Sequence, residues 1–373
     1  MNPKNPIFGS TGDFVTSPEI TSLFGELLGV WLMSQWFSGP KLPIRLVELG
    51  PGRGTLMHDL IRVIAKFGND RLESVHLVET SLMLRELQEA KLMPDAQKFG
   101  CTLSWHDSVD EIAVSAEEYT MVVAHEFFDA LPFHTIAITE HGWHEILIAL
   151  AEEQSSAEDL PPSTKAALPY PRFRYVMSPQ PSMASNLLGL SSPRFKDVPV
   201  GSRLEVSPVA FKTMHAIGEL IRGSPRDNPD AHSLGCGLIV DYGANRAFDQ
   251  SFRAFKKHKI VDIFHAPGEC DLTTNVDFAY LREAVGDLVP TYGPITQAAF
   301  LRGMQLPLRV EGAAEKSADG GAAVRAAAER LVDPRGMGEE YKVLAIGGHV
   351  EKAAGLAGPL PFVEERPPLN LEE

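Results

Sequence analysis

The stretch "VELGPGRGTL" at residues 47–56 decides the fold. "IRLVELG" (44–50) reads as a strand and "TLMHDLIRVIAKFG" as a helix, with a glycine-rich turn between them. Glycines let the backbone bend tightly and approach a ligand, and the helix N-terminus offers free N–H groups. Many nucleotide-type ligands use such a turn, so its details matter. The dinucleotide fingerprint is G-x-G-x-x-G. Here Gly50, Gly52 and Gly54 give G-x-G-x-G, and Thr55 occupies the place of the third fingerprint glycine. Glu48 stands two residues before the first glycine. A carboxylate there suits a ligand bearing a positive amino group rather than a pyrophosphate. The phosphate-loop pattern G-x-x-x-x-G-K-[ST] is absent from this turn.

Outward from the turn, strands and helices alternate. "SVHLVET" (74–80) is a second strand, followed by the helix "SLMLRELQEAKLM". "CTLSWHD" (101–107) and "YTMVVAHEF" (119–127) are a third and fourth strand. "GCGLIVDYG" (235–243) is a fifth, reached through the helical "PVAFKTMHAIGELIRG". Apolar strands alternating with amphipathic helices predict an α/β chain whose parallel sheet is covered on both faces, with right-handed crossovers. Open sheets of this kind bind ligands at the carboxyl ends of their strands. Glu79 ends the second strand, where an acid can accept both ribose hydroxyls. Asp107 ends the third and can receive an adenine amino group. Either acid alone reads as well as a solvated strand end; together with E-x-G-x-G-x-G they point to S-adenosylmethionine.

"TSPEITSLFGELLGVWLMSQW" predicts one amphipathic helix packed on the sheet, with Ser17 as N-cap, Pro18 at the first helical position and Glu19 in the first turn. "HTIAITEHGWHEILIAL" (134–150) predicts a β-hairpin turning at His141-Gly142. A loop rich in Ser, Pro and Ala follows at 151–170, and then "RFRYVMSPQP" as a third antiparallel strand. Further on, "TNVDFAYLREAVG" predicts a helix with a Thr274/Asp277 capping box. "PITQAAFLRGM" and "AAVRAAAERLV" read as helices, and "YKVLAIGG" (341–348) as a closing strand. The expected organisation is a cofactor-covering segment and helix at 1–40 and a core at 41–133 and 206–265. A hairpin insertion with a flexible tip occupies 134–205, a helical part with the closing strand 266–350, and a disordered tail 351–373.

Composition narrows the function classes. The 34 Lys and Arg against 49 Asp and Glu leave a net charge of −15, which argues against a phosphate grip on nucleic acid. Cys101, Cys236 and Cys270 form no C-x-x-C pair, so neither a disulfide scaffold nor a zinc ribbon is expected. No apolar run is long enough to span a bilayer. Residues 1–12 are polar with one Lys, unlike a secretory signal or an Arg-rich transit peptide.

"VVAHEFFDALPFH" (122–134) nearly spells the zinc-protease signature H-E-x-x-H. Position 129 is Asp, and the preceding "YTMVVA" is a strand, so two ligands four apart would not share a face. No metal site is expected. The fourth strand should lie beside the first, so its carboxyl end faces the cofactor's methyl group. Glu126 and Asp129 are acids, His125 can titrate, and Phe127, Phe128 and Phe133 can wall a dry slot. Two carboxylates suit a cationic acceptor such as arginine, whose guanidinium pairs bidentately with them. Alternatively, one acid caps the next helix and the phenylalanines are core.

Taken in order, these residues resemble the MidA-like family of S-adenosylmethionine-dependent methyltransferases. The shared segments are "GDFVTSPEI…FGELLGVW" (12–31), "VELGPGRGTLMHDLIR" (47–62), "HLVETS" (76–81), "AHEFFDALPFH" (124–134) and "GWHEILI" (142–148). "LEVSP" (204–208), "IVDYG" (239–243), "APGECDLTTNVDF" (266–278), "GPITQAAFL" (293–301) and "MGEEYKVLAI" (337–346) also match. The resemblance implies a class I methyltransferase fold, a Rossmann-like parallel sheet with an antiparallel hairpin insertion and helical C-terminal additions. It implies a mitochondrial matrix location and methylation of an arginine on a peripheral-arm subunit of respiratory complex I, needed for that complex's assembly. The alternatives are a catalytically idle assembly scaffold, or a methyltransferase with a small-molecule acceptor. Gly50, Gly52, Gly54 and Glu79 carry over as cofactor residues, joined by Glu48, Asp107, Thr16 and Ser17. His125, Glu126 and Asp129 are the expected catalytic set, with Phe127, Asp241 and Tyr242 lining the acceptor pocket. Family members carry a further segment before "GDF", with a targeting peptide in mitochondrial members; this chain begins almost at the motif, which reads as a shortened N-terminus.

Overall fold

Ile44, Leu46, Val47 and Leu49 are buried on both faces of their strand, as are Met121, Val122, Val123 and Ala124. An apolar run behaves this way only inside a sheet covered by helices above and below. The structure is a computed structural model that describes residues 16–68, 70–150, 173–223, 233–257, 259–348 and 358–362. The chain divides into two compact units: Met1–Asp129, Ala210–Arg246 and Val276–Glu373 form the first, and Ala130–Val209 and Ala247–Asn275 the second.

Numbered along the chain, the first unit contains β1 (Ile44–Leu49), β2 (Leu72–Val78), β3 (Thr102–His106), β4 (Tyr119–His125), β9 (Gly235–Ala244), β13 (Val276–Asp277), β14 (Thr291–Thr296) and β15 (Tyr341–Gly347). They build one sheet in the order β14-β15-β9-β4-β1-β2-β3, with β13 paired beside β9. Neighbours from β3 to β9 are parallel, while β15 runs antiparallel to both β9 and β14. The chain winds outward from β1 in one direction and from β4 in the other. A crevice opens at their carboxyl ends, the usual ligand position in such sheets.

Helices α3 (Thr55–Phe67) and α4 (Leu82–Phe99) follow β1 and β2. Upstream, the single predicted helix is broken into α1 (Ser17–Ile20) and α2 (Ser22–Ser38). Thr21 is extended at φ −162°, ψ 142°, and its hydroxyl accepts the Leu23 N–H at 3.3 Å, starting a new helix. The cap of α1 is Thr16 rather than Ser17. Nor is α2 amphipathic: Phe24, Leu28, Trp31 and Leu32 are fully buried and Gln35 nearly so, leaving only a narrow exposed stripe.

The C-terminal part also departs from expectation. Residues 291–296 form β14 at the sheet edge, where Pro294 removes no interior ladder bond, and α8 (Gln297–Gly303) starts only after Thr296 caps it. The cap of α7 (Phe278–Val285) is Asp277 itself, accepting the Tyr280 N–H at 3.1 Å, so the Thr274/Asp277 box does not form. Helices α9 (Leu306–Ala314), α10 (Ala322–Leu331) and α11 (Met337–Glu340) precede β15. Disorder over 351–373 fails at 358–362, the described part of that tail. The Trp31 indole N–H donates to the Leu360 carbonyl at 2.9 Å, and Phe362 is buried between Trp31 and Phe300. The buried Phe362 ring and the Trp31–Leu360 hydrogen bond favour the ordered segment, and Pro359 and Pro361 lower the entropy it loses on ordering. Phe362→Ala should therefore cost about 3 kcal/mol in a denaturant titration; a loss below about 0.5 kcal/mol would mean that this ring is not part of the core.

The second unit contains β5 (His134–Thr139), β6 (Gly142–Leu150), β7 (Phe173–Met177) and β8 (Arg203–Val206), ordered β7-β6-β5-β8 and antiparallel throughout. Thr139 pairs with Gly142, so the hairpin turns at Glu140 and His141. Helix α5 (Met183–Gly189) lies between β7 and β8, and α6 (Pro208–Arg222) leads back to the first unit's β9. A small sheet β11 (Lys259–Val261), β10 (Arg253–Lys256), β12 (Asp271–Thr273) completes it. The loop expected at 151–170 lies outside the described residues. No described helix is long and apolar enough to cross a membrane.

Candidate cofactor and acceptor site

The turn after β1 is shaped by its glycines. Gly50, Gly52 and Gly54 take φ values of 66°, 52° and 73°, a region that side chains disfavour. The Gly50 N–H donates to the Val78 carbonyl at 3.0 Å, and the Gly54 N–H to the Pro51 carbonyl at 2.7 Å. A buried relay braces the turn from behind. The Trp105 indole N–H donates to Gln88 Oε1 at 2.8 Å, and the Gln88 amide donates to the Gly52 carbonyl at 2.8 Å. That same amide reaches Glu79 Oε2 at 3.4 Å, tying the end of β2 to the turn. Gln88 and Trp105 carry no motif of their own, so the sequence alone did not single them out.

In front of the turn lies a solvent-open cleft. Thr16, Glu19, Glu48, Gly50, Gly52, Arg53, His125 and Glu126 are among its lining residues. Glu48 is 2% exposed, and its Oε2 has no hydrogen-bond partner among the described residues. Burial pushes its carboxyl up to about 8, against a downward pull from Lys91 and the Met57 N–H. His125, 7% exposed, likewise has no partner for Nε2. Burial drives its imidazole down to about 3, so the ring is neutral at pH 7. Glu19 Oε2 is a third such atom on a residue lining the cleft. Buried polar atoms are ordinarily paired, and three orphans around one cleft point to a ligand that completes them. A buried carboxylate oxygen beside a tight glycine turn fits the amino group of S-adenosylmethionine, so the residues present fit that cofactor.

The second half of the site hangs from the end of β4. Glu126 leaves the strand with φ 49°, left-handed for a residue that is not glycine. Its carboxylate accepts the Tyr341 hydroxyl at 2.9 Å and lies 3.7 Å from His125 Nε2. Asp129, buried, accepts the Tyr242 hydroxyl. Tyr341 and Tyr242 are register partners across β15 and β9, and their rings meet edge to face at 5.5 Å. One rung of the sheet thus supplies a phenol to each acid. Burial and the neighbouring Glu126 hold the Tyr341 phenol well above its ordinary range, so it remains a donor. The Phe127 ring packs on the turn: a Cβ added at Gly50 would come within 2.9 Å of it.

Several expected residues fall elsewhere. The Asp107 side chain is 71% exposed and pairs with Arg85 at 2.5 Å. Glu111 accepts the Asp107 N–H at 3.0 Å in the turn that follows β3, and the carboxylate faces solvent instead of the cleft. Ser17 is buried and donates to Gln297 Oε1 at 3.3 Å, so only Thr16 of that pair lines the cleft. Phe128 is core, while Phe133 belongs to the second unit, meeting Phe252 edge to face at 5.0 Å. Asp241 has 0% exposure and is not among the residues lining the cleft. Burial and the nearby Asp129 and Glu126 hold its carboxyl well above the usual range, opposed by backbone N–H donors. Tyr341 was missed because nothing in "MGEEYKVLAI" marks its first strand residue as reaching a glutamate 215 positions away.

Residues 27–295 match a family model described as "Putative S-adenosyl-L-methionine-dependent methyltransferase". The mitochondrial protein arginine methyltransferase NDUFAF7 of Danio rerio is 34% identical, the match covering 92% of this chain and 78% of that protein. Its Drosophila melanogaster homolog is 36% identical over 93% of this chain and 78% of its own length. The Homo sapiens protein is 32% identical over 94% and 76%. A Burkholderia thailandensis protein solved bound to S-adenosyl-homocysteine superposes with a TM-score of 0.68 at 21% identity, covering 92% of this chain and 81% of that one. At that identity the likeness speaks for the fold.

Proposed function

We propose, from the premise that this chain belongs to the family of S-adenosyl-L-methionine-dependent methyltransferases, that it methylates an arginine side chain of a protein. When bound, S-adenosylmethionine supplies an electrophilic methyl group. Glu48 would hold the cofactor's amino group, the glycine turn would admit it closely, and Glu79 would hold the ribose. The acceptor enters from the end of β4. Guanidinium is a poor nucleophile because its lone pairs are delocalised. Glu126 and Asp129 hold it by charge-assisted hydrogen bonds and draw its positive charge to one edge, leaving the opposite nitrogen better able to attack, and one of the two carboxylates takes the proton that the guanidinium loses on methylation. Alignment at about 3 Å supplies much of the remaining acceleration.

The observation that carries this proposal is the pair of acids on one loop, each held by a tyrosine from the same sheet rung, beside a turn built for the cofactor. The names of the relatives support the arginine acceptor and a mitochondrial location. The motif resemblance supports a finer choice, a peripheral-arm subunit of respiratory complex I. Methyl-labelled cofactor should be incubated with that subunit's arginine peptides and with the same peptides carrying lysine. Label recovered as methylarginine, and none on lysine, is the expected result. Tight binding of S-adenosyl-homocysteine with no transfer to any arginine would point instead to an assembly scaffold.

A further inference from the structure

The carboxylate of Asp241 spends its hydrogen-bonding capacity on the protein itself. Its Oδ2 accepts the N–H groups of Phe128 at 3.0 Å and Asp129 at 3.3 Å, and its Oδ1 accepts the N–H of Tyr242 at 3.0 Å. The first two amides belong to the short loop that starts at Glu126. That loop begins in a left-handed conformation, which persists only where the surroundings impose it. The surroundings here are two adjacent residues of β9. The Glu126 N–H donates to the Val240 carbonyl at 3.0 Å, and Asp241 takes the amides two and three residues further on. The loop between these anchors carries Glu126, the Phe127 ring that packs on Gly50, and Asp129. A shift in it would therefore move both acids and the cover of the glycine turn together.

We infer that Asp241 is a positioning residue for methyl transfer: its buried carboxylate fixes the backbone of residues 126–129 so that Glu126 and Asp129 face the acceptor. This rests on the assignment of those two acids to the acceptor side. Asparagine cannot substitute, whatever the protonation state of the carboxyl. An amide nitrogen has no lone pair to offer, so either the Tyr242 N–H or the two loop N–H groups would face another donor. Burial leaves no water to repair the mismatch.

The test uses Asp241→Asn and Asp241→Ala in the full chain, with three measurements. Amide hydrogen exchange should quicken at least about tenfold at Phe128 and Asp129, while β4 keeps its protection. The kcat for an arginine peptide should fall about 30-fold or more, as expected for misplaced reacting groups. Affinity for S-adenosyl-homocysteine should fall less than kcat does, by under about tenfold, because Glu48 and the relay through Gln88 are untouched and only the Phe127 cover of the turn shifts. Unchanged exchange in the loop, or unchanged kcat, would overturn the assignment. So would loss of β4 protection in the asparagine variant, since Asp241 would then be holding the core. If the wild-type chain binds S-adenosyl-homocysteine but transfers nothing to arginine, the acceptor assignment fails. The exchange measurement still decides whether Asp241 holds the loop.

Discussion

Glu48→Gln should make the ligand-free protein more heat-stable and nearly abolish cofactor binding. The carboxyl of Glu48 sits at about 8 in the folded chain, against an ordinary value of 4.5. Between those two pH values the folded state keeps a proton that the unfolded chain has released. Stability is therefore fully retained below the unfolded value and declines as pH rises toward 8, by at most about 1.4 kcal/mol per pH unit. Glutamine removes that decline. The variant should gain about 4 °C in Tm at pH 8 and almost nothing at pH 4. Binding should move the other way. An amide offers the cofactor's amino group no negative charge in a dry cleft, and losing one partner of a buried charged pair costs a few kcal/mol, about 100-fold in affinity. Scanning calorimetry at the two pH values and titration with S-adenosyl-homocysteine read both effects. A variant that melts lower at pH 8, or that binds as tightly as the parent, would remove Glu48 from the cofactor site. The expected trade of stability for function is common where a buried polar group waits for a ligand.

What the sequence disclosed divides along physical lines. The glycine turn, the parallel strands and the acids at their ends were legible because each is set by local chain chemistry. Positive φ favours glycine, a two-faced strand needs an unbroken apolar run, and β4 falls beside β1 once the winding is known. Properties set by distant contacts were not legible. Asp241 reads as a pocket residue by its place at a strand end, and only the folded chain brings it against the backbone amides of Phe128 and Asp129. Asp107 occupies the equivalent place just after β3, yet Arg85 on the preceding helix α4 pairs with it at the surface. The break at Thr21 was hidden because apolar residues recur at helical spacing on both sides of it. Tyr341 reaches Glu126 only through the antiparallel register of β15 on β9, which no local pattern encodes.

Glu126→Gln should leave the loop in place and stop methyl transfer. The amide oxygen can still accept the Tyr341 hydroxyl, so the contact that holds the side chain survives and only the charge is lost. Without that charge the guanidinium is no longer drawn to one edge, and kcat for an arginine peptide should fall by about 100-fold to 1,000-fold, the range seen when one electrostatic contact to a developing charge is removed. S-adenosyl-homocysteine should bind with parental affinity. Glu126→Gly separates the chemistry from the fold in a second way. Glycine adopts φ 49° without strain, and that relief, about 1 kcal/mol, should offset the lost hydrogen bond to Tyr341. The glycine variant should therefore unfold within about 1 kcal/mol of the parent in denaturant while transferring no label. If either variant kept more than about a tenth of the parental kcat, the acceptor's charge would have to be held by Asp129 alone, and the left-handed backbone at Glu126 would be a structural feature of the β4 exit.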